Sequence, residues 1–126
     1  MCGIVGFSGK TNAMEYLLEG LEKLEYRGYD SAGIATIDDG ILNIEKTTER
    51  IASLMTTIES KNSCNGVIGI GHTRWATHGA PTTTNAHPHT DNEMEFAVVH
   101  NGIIENYAEI KEGLKNEGVL FVSQTD

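Results

Sequence analysis

The chain has 126 residues, in which 9 Lys and Arg stand against 18 Asp and Glu, so its formal net charge is −9 at pH 7. This length suits one domain, and the acidity argues against nucleic acid and anionic membranes as partners, because both require a basic face. No run approaches the ~18 apolar residues of a membrane span and no secretory signal opens the chain, which predicts a cytoplasmic location. In that compartment Cys2 and Cys64 are expected to be free thiols.

Hydrophobic periodicity predicts strands and helices that do not alternate strictly. Short apolar runs indicate strands, and apolar residues spaced three and four apart indicate helices. In chain order, the sequence predicts a strand over 3–7, a helix from 13 that ends at the glycine at 28, hairpin strands over 32–37 and 41–45, a helix over 51–58, strands over 67–70 and 96–99, a helix after Asn106 and a strand over 119–122. Strands outnumber helices, so the predicted fold class is α+β.

One long segment, Gly71–Glu95, has no regular period and is predicted to be a functional loop. It contains both prolines and four of the five histidines. Structureless segments of this length are uncommon inside compact domains unless they bind or react. Asn101 and Gly102 follow the next predicted strand, at a position where sites are often built.

Two interpretations of these polar residues require no nucleophile. In the first, the histidines bind a metal, because His87 and His89 alternate along an extended segment and Asp91 could add an oxygen ligand. The sequence has neither a helical His-Glu-x-x-His motif nor paired cysteines to support that site. In the second, nothing is catalytic, Cys2 is a small apolar strand residue, and Arg74 pairs with a surplus carboxylate.

The third interpretation makes Cys2 a nucleophile. If Met1 is removed, Cys2 carries a thiol and an α-amine, and an amine that titrates at ~7.7–8.0 can act as the base for its own thiol. The side-chain NH₂ of Asn101 and the backbone N–H of Gly102 could stabilise an oxyanion. The guanidinium of Arg74 could bind a substrate carboxylate in a bidentate manner.

Several segments together resemble class II glutamine amidotransferase domains, which are N-terminal nucleophile hydrolases. The segments are CGIVG at 2–6, LEYRGYDSAGIA at 24–35, GHTRWATHG at 71–79, NAHPH at 85–89, HNGIIEN at 100–106 and the final TD. Within that family they are most similar to the branch that delivers ammonia to fructose 6-phosphate, and the alternative is the glutaminase domain of another class II amidotransferase with a different acceptor. The resemblance implies a four-layer αββα sandwich. Residues 1–126 would be the amino-terminal part of a truncated glutamine amidotransferase type 2 (glutaminase) domain, without the sugar-isomerase domains.

The same resemblance implies a reaction at Cys2. The thiol would attack the side-chain amide of L-glutamine, form a γ-glutamyl thioester and release ammonia. Asn101 and Gly102 would form the oxyanion hole. If Met1 is retained, however, the free amine belongs to residue 1 and Cys2 has only an amide nitrogen, so the chain with Met1 is expected to be inactive.

Substrate binding is also implied by the resemblance. Arg74 would bind the α-carboxylate of glutamine with Thr77 and His78 beside it, Asp126 would bind the α-ammonium, and Trp75 would gate the path of ammonia. No cofactor or metal is implied. Fructose 6-phosphate would bind to the absent domains, and the parent protein is expected to be a homo-oligomer.

The remaining polar residues are expected to be structural. Arg27 and Asp30 are predicted to form an ion pair beside the site. Cys64 lies in a polar loop and is expected to take no part in the reaction. The histidines expected to order the structure are His72, His87, His89 and His100.

Overall fold

Four segments pair into a main sheet, and two helices cover one of its faces. The computed structural model describes the whole chain, residues 1–126. In chain order its elements are β1 (Gly3–Ser8), α1 (Ala13–Leu24) with a following 3-10 turn (Glu25–Arg27), β2 (Ser31–Asp38), β3 (Ile41–Thr47), α2 (Ile51–Lys61), β4 (Ile68–Arg74), β5 (His89–Thr90), β6 (Ala97–Val98) and α3 (Tyr107–Asn116). None of the helices has the length and apolar character needed to cross a membrane.

The register of the main sheet decides which segments meet. The strand order is β1-β4-β2-β3, and every neighbouring pair is antiparallel. Gly3 pairs with Thr73, and Ser31 pairs with Arg74. The start of β1, the end of β4 and the start of β2 therefore lie together at one end of the sheet, although they are far apart in sequence.

Helix α1 packs closely on the sheet because β4 carries glycines beneath it. Leu17 and Leu21, one helical turn apart, are fully buried. A Cβ atom at Gly69 would lie 2.7 Å from Cδ1 of Leu17, and one at Gly71 would lie 3.3 Å from Cδ1 of Leu21. The missing side chains thus make room for the leucines. Helix α2 adds three residues to the same core, namely Ile51, Leu54 and Ile58.

The segment after β4 crosses the opposite face of the sheet at Gly33. The neighbours of Gly33 in β2 belong to the core under the helices, so Gly33 faces the other way. A Cβ atom there would lie 2.4 Å from the carbonyl oxygen of His87. Lys46 of β3 donates from Nζ to the carbonyl oxygen of Ala86 at 2.7 Å. These contacts hold the segment against the sheet.

Most local elements predicted from the sequence are confirmed. The first strand, the hairpin closed by Asp38-Asp39-Gly40 and all three helices are present. Asn12 caps α1, because its Oδ1 accepts from the Met14 N–H at 2.9 Å. Helix α3 begins directly after Asn106, although that side chain makes no capping hydrogen bond.

Two predictions about the second half of the chain are wrong, and a third is confirmed only in part. The segment Gly71–Glu95 is not free of structure, because β4 continues to Arg74 and β5 lies within it. The predicted strand over 96–99 shortens to two residues. Residues 119–122 form no strand, since Leu120 exchanges its backbone hydrogen bonds with the side chain of Asn92 at 2.9 and 3.2 Å instead of with a neighbouring strand.

Truncation of a core leucine on α1 is expected to destabilise the chain. Leu17→Ala should lower the free energy of unfolding by about 3 kcal/mol, because it removes a fully buried side chain and leaves a cavity against β4. Leu120→Ala is the matched control, since that side chain is 73% exposed, and it should change the value by less than about 0.5 kcal/mol. Urea unfolding followed by circular dichroism measures both. Equal effects would contradict the assignment of the core.

Candidate active site

A cavity of about 250 Å³ lies at the end of the sheet where β1, β4 and β2 meet. All eight predicted site residues line it, namely Cys2, Arg74, Trp75, Thr77, His78, Asn101, Gly102 and Asp126. A second cleft, of about 320 Å³, lies between the turn after α1 and the start of α2, and its lining contains neither cysteine nor histidine. The chemistry-bearing side chains are therefore concentrated in the smaller cavity.

The thiol of Cys2 is hydrogen-bonded to the main chain of Trp75. The Trp75 N–H donates to Sγ at 3.2 Å, and Sγ lies 3.7 Å from the Trp75 carbonyl oxygen. The residue just after β4 thus supports the residue just before β1, as the register of the sheet requires.

The α-amino group in the structure belongs to Met1. Its nitrogen lies 3.5 Å from the carbonyl oxygen of Gly28, and Met1 lines the same cavity as Cys2. The nitrogen of Cys2 is an amide in this chain and has no lone pair available as a base. Processing of Met1 would therefore change the chemistry of the cavity as well as its volume.

The loop that follows β4 surrounds the side chain of Arg74, the last residue of that strand. Its side chain is almost completely buried, and its guanidinium donates to the carbonyl oxygens of His78, Gly79 and Ala80, the last at 3.1 Å. Nη1 also lies 3.7 Å from a carboxylate oxygen of Asp30. The loop is thus folded around the guanidinium, which holds it close to Cys2.

The predicted ion pair between Arg27 and Asp30 is wrong. Asp30 pairs with Arg74, and its other carboxylate oxygen accepts from the backbone N–H of Ala76. Arg27 is exposed in the turn after α1, where its Nε donates to the Tyr26 hydroxyl at 3.0 Å. The reason is the register: Ser31 is paired with Arg74, so the residue before Ser31 lies beside that guanidinium.

The remaining predicted residues form the rim of the cavity. Trp75 is 52% exposed as a residue, and its ring lies against Gly28, where a Cβ atom would come within 2.8 Å of Cζ3. His78 faces the ring of Tyr107 on α3, with 3.4 Å between its Nε2 and the hydroxyl. Asp126 accepts from the Ile104 N–H at 2.8 Å, which holds its carboxylate near the Asn101-Gly102 segment.

A column of three histidine rings lies beside the site, and two of them, His72 and His87, line the cavity. The rings of His72 and His87 stack with 4.3 Å between centroids, and His89 contacts His87 edge-on at 4.5 Å. Burial lowers the pKa of His87 to about 3 and that of His89 to about 4, so these rings are neutral near pH 7. Burial also lowers the pKa of the neighbouring Lys46 to about 8.

The histidines do not come together as a set of metal ligands. The only group of three or more His, Cys, Asp or Glu side chains with ligand atoms within 4.8 Å of one another is Asp91, Glu93 and Glu95. These carboxylates lie on the turn between β5 and β6, where Asp91 accepts from the Glu95 and Phe96 N–H groups at 2.9 and 2.8 Å. Asp91 is therefore held in place by the hydrogen bonds of the turn, without a metal ion.

The histidine column predicts loss of stability in mild acid. The pKa of His87 is about 3 in the folded chain, against an ordinary value of 6.5, so the unfolded chain binds more protons below pH 6.5. The free energy of unfolding should therefore be highest above pH 6.5, as far as His87 is concerned. It should fall as the pH is lowered from 6.5 toward about 3, the pKa of His87 in the folded chain. Between pH 7 and pH 5, the His87→Gln variant should lose about 1 kcal/mol less of its free energy of unfolding than the unmodified chain. Urea unfolding at both pH values measures it. His78→Gln, which alters an exposed ring, is the control.

Comparison with known proteins relates this site to a family. A model of the glutamine amidotransferase domain matches residues 43–126. The chain is 60% identical over 126 residues to the glutamine–fructose-6-phosphate aminotransferase (isomerizing) of Aquifex aeolicus and 56% identical to that of Clostridium acetobutylicum. These alignments cover 100% of this chain, including Cys2, and 21% of each relative, so the chain spans about a fifth of their length.

Solved structures with a similar fold come from related enzymes. The allosteric regulatory enzyme of purine biosynthesis aligns with a TM-score of 0.81 and 28% identity, over 98% of this chain and 27% of that one. A glutamine phosphoribosylpyrophosphate amidotransferase from B. subtilis aligns with a TM-score of 0.81 and 29% identity, over 100% of this chain and 27% of that one. The predicted α+β fold of the N-terminal nucleophile hydrolases is confirmed. With a family model that matches most of its length, this chain belongs to the glutamine amidotransferase domain family.

Proposed function

We propose that this chain is the glutaminase part of a glutamine–fructose-6-phosphate aminotransferase, also called glucosamine-6-phosphate synthase. The observation that carries the proposal is the meeting of all eight predicted site residues in one cavity around Cys2. Alignment of the whole of this chain with about a fifth of two aminotransferases of that name supports the choice of branch within the family.

The reaction begins with proton transfer within Cys2 after Met1 is removed. The α-amine accepts the thiol proton, and the thiolate attacks the side-chain amide carbon of glutamine. The carbonyl oxygen becomes an oxyanion, which the Nδ2–H of Asn101 and the backbone N–H of Gly102 stabilise. The ammonium of Cys2 then protonates the leaving nitrogen, the C–N bond breaks, and ammonia departs. Water hydrolyses the γ-glutamyl thioester to glutamate and restores the thiol.

Charged residues at two sides of the cavity select glutamine. Arg74 already donates to three carbonyl oxygens, and a substrate carboxylate would use the N–H groups that remain of the five on its guanidinium. Asp126 uses one carboxylate oxygen for Ile104 and keeps the other for the α-ammonium. Thr77 and His78, on the loop around Arg74, complete the binding site. Glutamine is thus bound through its α-carboxylate and α-ammonium groups, while its side-chain amide extends to Cys2.

The ammonia leaves past Trp75, whose exposed ring lies between the cavity and the surface. In the complete protein it is captured by fructose 6-phosphate bound to further domains, to give the amino sugar. The complete protein is a cytoplasmic homo-oligomer. No step requires a metal or an organic cofactor, because Cys2 supplies both nucleophile and base.

The proposal is tested with the protein expressed from its complete reading frame. After incubation with a diazoketone analogue of glutamine, peptide mass spectrometry should find the label on Cys2, and glutamine should protect against it. Label on any other residue would contradict the proposal. With ¹⁵N-amide glutamine and fructose 6-phosphate, the isotope should appear in the amino sugar. Isotope found only in free ammonia would leave the glutaminase assignment standing and refute the acceptor.

A further inference from the structure

We infer that His72 is a positioning residue that holds the Asn101 amide with its NH₂ group available to the oxyanion, an inference that rests on the proposed function. His72 Nε2 lies 2.6 Å from Oδ1 of Asn101. A hydrogen bond of that length occupies the amide oxygen. The opposite end of the same amide, Nδ2, is then the end that remains for a substrate.

The surroundings of the imidazole decide which of its nitrogens carries the proton. His72 is fully buried, and its pKa is lowered mainly by that burial, so the ring is neutral near pH 7. Nδ1 is buried and makes no hydrogen bond of acceptable length and angle, although the main chain of His100 lies close to the ring. A hydrogen on Nδ1 would be a buried donor without an acceptor, whereas a hydrogen on Nε2 has Asn101 Oδ1 as its acceptor. His72 is therefore the donor and Asn101 the acceptor.

His72 is rigid, and Asn101 is not held in any other way. His72 lies on β4, between β1 and β2, where it is paired with Ile4 and Gly33, and its ring is stacked on His87 at 4.3 Å. Asn101 is exposed and lies outside any helix or strand. A side-chain amide can rotate by half a turn and exchange its oxygen with its nitrogen. The contact with a fixed N–H donor removes one of these two orientations.

The orientation matters because the two ends of the amide have opposite effects on a developing negative charge. Nδ2 donates a hydrogen bond to the oxyanion, whereas Oδ1 would place a second partial negative charge beside it. Loss of one oxyanion-hole donor lowers kcat by about 10²–10³-fold. Without the His72 N–H, both the amide orientation and the rotamer of the exposed Asn101 side chain become free, so only a minor fraction of the molecules stays correctly arranged. The expected decrease is about 10–100-fold, which is smaller than for complete loss of the donor.

A matched pair of substitutions in the complete protein tests the inference. His72→Gln places an amide N–H close to the position of Nε2, and His72→Met has a similar volume without a donor. His72→Met should lower kcat for glutamine hydrolysis by about 10-fold or more with KM within about threefold, and His72→Gln should retain at least about a third of kcat. In an Asn101→Ala background, His72→Met should cause almost no further loss.

Each alternative outcome has a clear meaning. Equal losses in the Gln and Met variants, or full activity of the Met variant, would overturn the inference and leave the proposed function intact. If His72→Met does not fold, the Gln variant decides alone: a loss as large as that of Asn101→Ala overturns the inference, and retention supports it. Absence of glutamine hydrolysis in the unmodified, Met1-processed protein would instead refute the proposed function, and this inference with it.

Discussion

Replacement of Cys2 by serine or alanine is expected to lower the rate of glutamine hydrolysis by about 10⁴-fold or more. Cys2 carries the only thiol within the predicted site, and the main-chain N–H of Trp75 is directed at it from 3.2 Å. Removal of a nucleophile from comparable enzymes costs several orders of magnitude in kcat. The variants should still bind glutamine, because Arg74 and Asp126 are unchanged, so isothermal titration should detect the substrate while thioester formation is absent.

Cys64→Ser is the matched control for that experiment. Cys64 is the other cysteine of the chain, and it is buried in the hydrophobic core and does not line the cavity. Burial raises the pKa of its thiol, which makes it a poor nucleophile near neutral pH. The Ser variant should keep its kcat and its labelling at Cys2 by a glutamine-analogue electrophile. A Cys2 variant that hydrolyses glutamine, or a Cys64 variant that does not, would refute the assignment of the nucleophile.

The elements that local patterns describe could be predicted from the sequence. The leucines of α1 repeat at helical spacing, and Asp-Gly after β2 demands a tight turn, so neither prediction depends on distant residues. The apolar run at 119–122 satisfies the same rules but forms no strand, because a strand also requires a partner. The composition of this run could not indicate that the Asn92 side chain would form hydrogen bonds with the backbone N–H and carbonyl groups of Leu120.

The pairing of charges in the site could not be predicted in this way. Asp30 contacts Arg74 rather than Arg27 only because Ser31 is opposite Arg74 in the sheet, and that register depends on non-local packing. The sequence indicates one half of the contact between His72 and Asn101. His72 and Arg74 are two residues apart on a strand, so their side chains lie on the same face of the sheet. That periodicity places His72 beside the site, but the position of Asn101 depends on an irregular segment.

Removal of Met1 is expected to raise the rate of glutamine hydrolysis by about 10²–10⁴-fold, the usual contribution of a general base. With Met1 present, the α-amino group lies by the Gly28 carbonyl and the residue lines the cavity beside Cys2. A matched pair comes from one preparation of the complete protein, which carries an N-terminal extension that a site-specific protease removes to leave Cys2 first. Activity before and after cleavage is measured, with intact mass to verify each terminus.

Two explanations for low activity with Met1 present can be separated by kinetics: loss of the Cys2 amine as a base, and steric obstruction of glutamine binding by Met1. An α-amine that titrates at ~7.7–8.0 must be unprotonated to act as a base, so kcat/KM of the cleaved protein should rise with pH up to that range and then level off. Obstruction alone would raise KM of the uncleaved protein and leave its kcat unchanged, because the chemistry at the thiol would be the same once glutamine is bound. Equal kcat values before and after cleavage would therefore refute the role of the Cys2 amine, even if the Cys2 thiol proves to be the nucleophile.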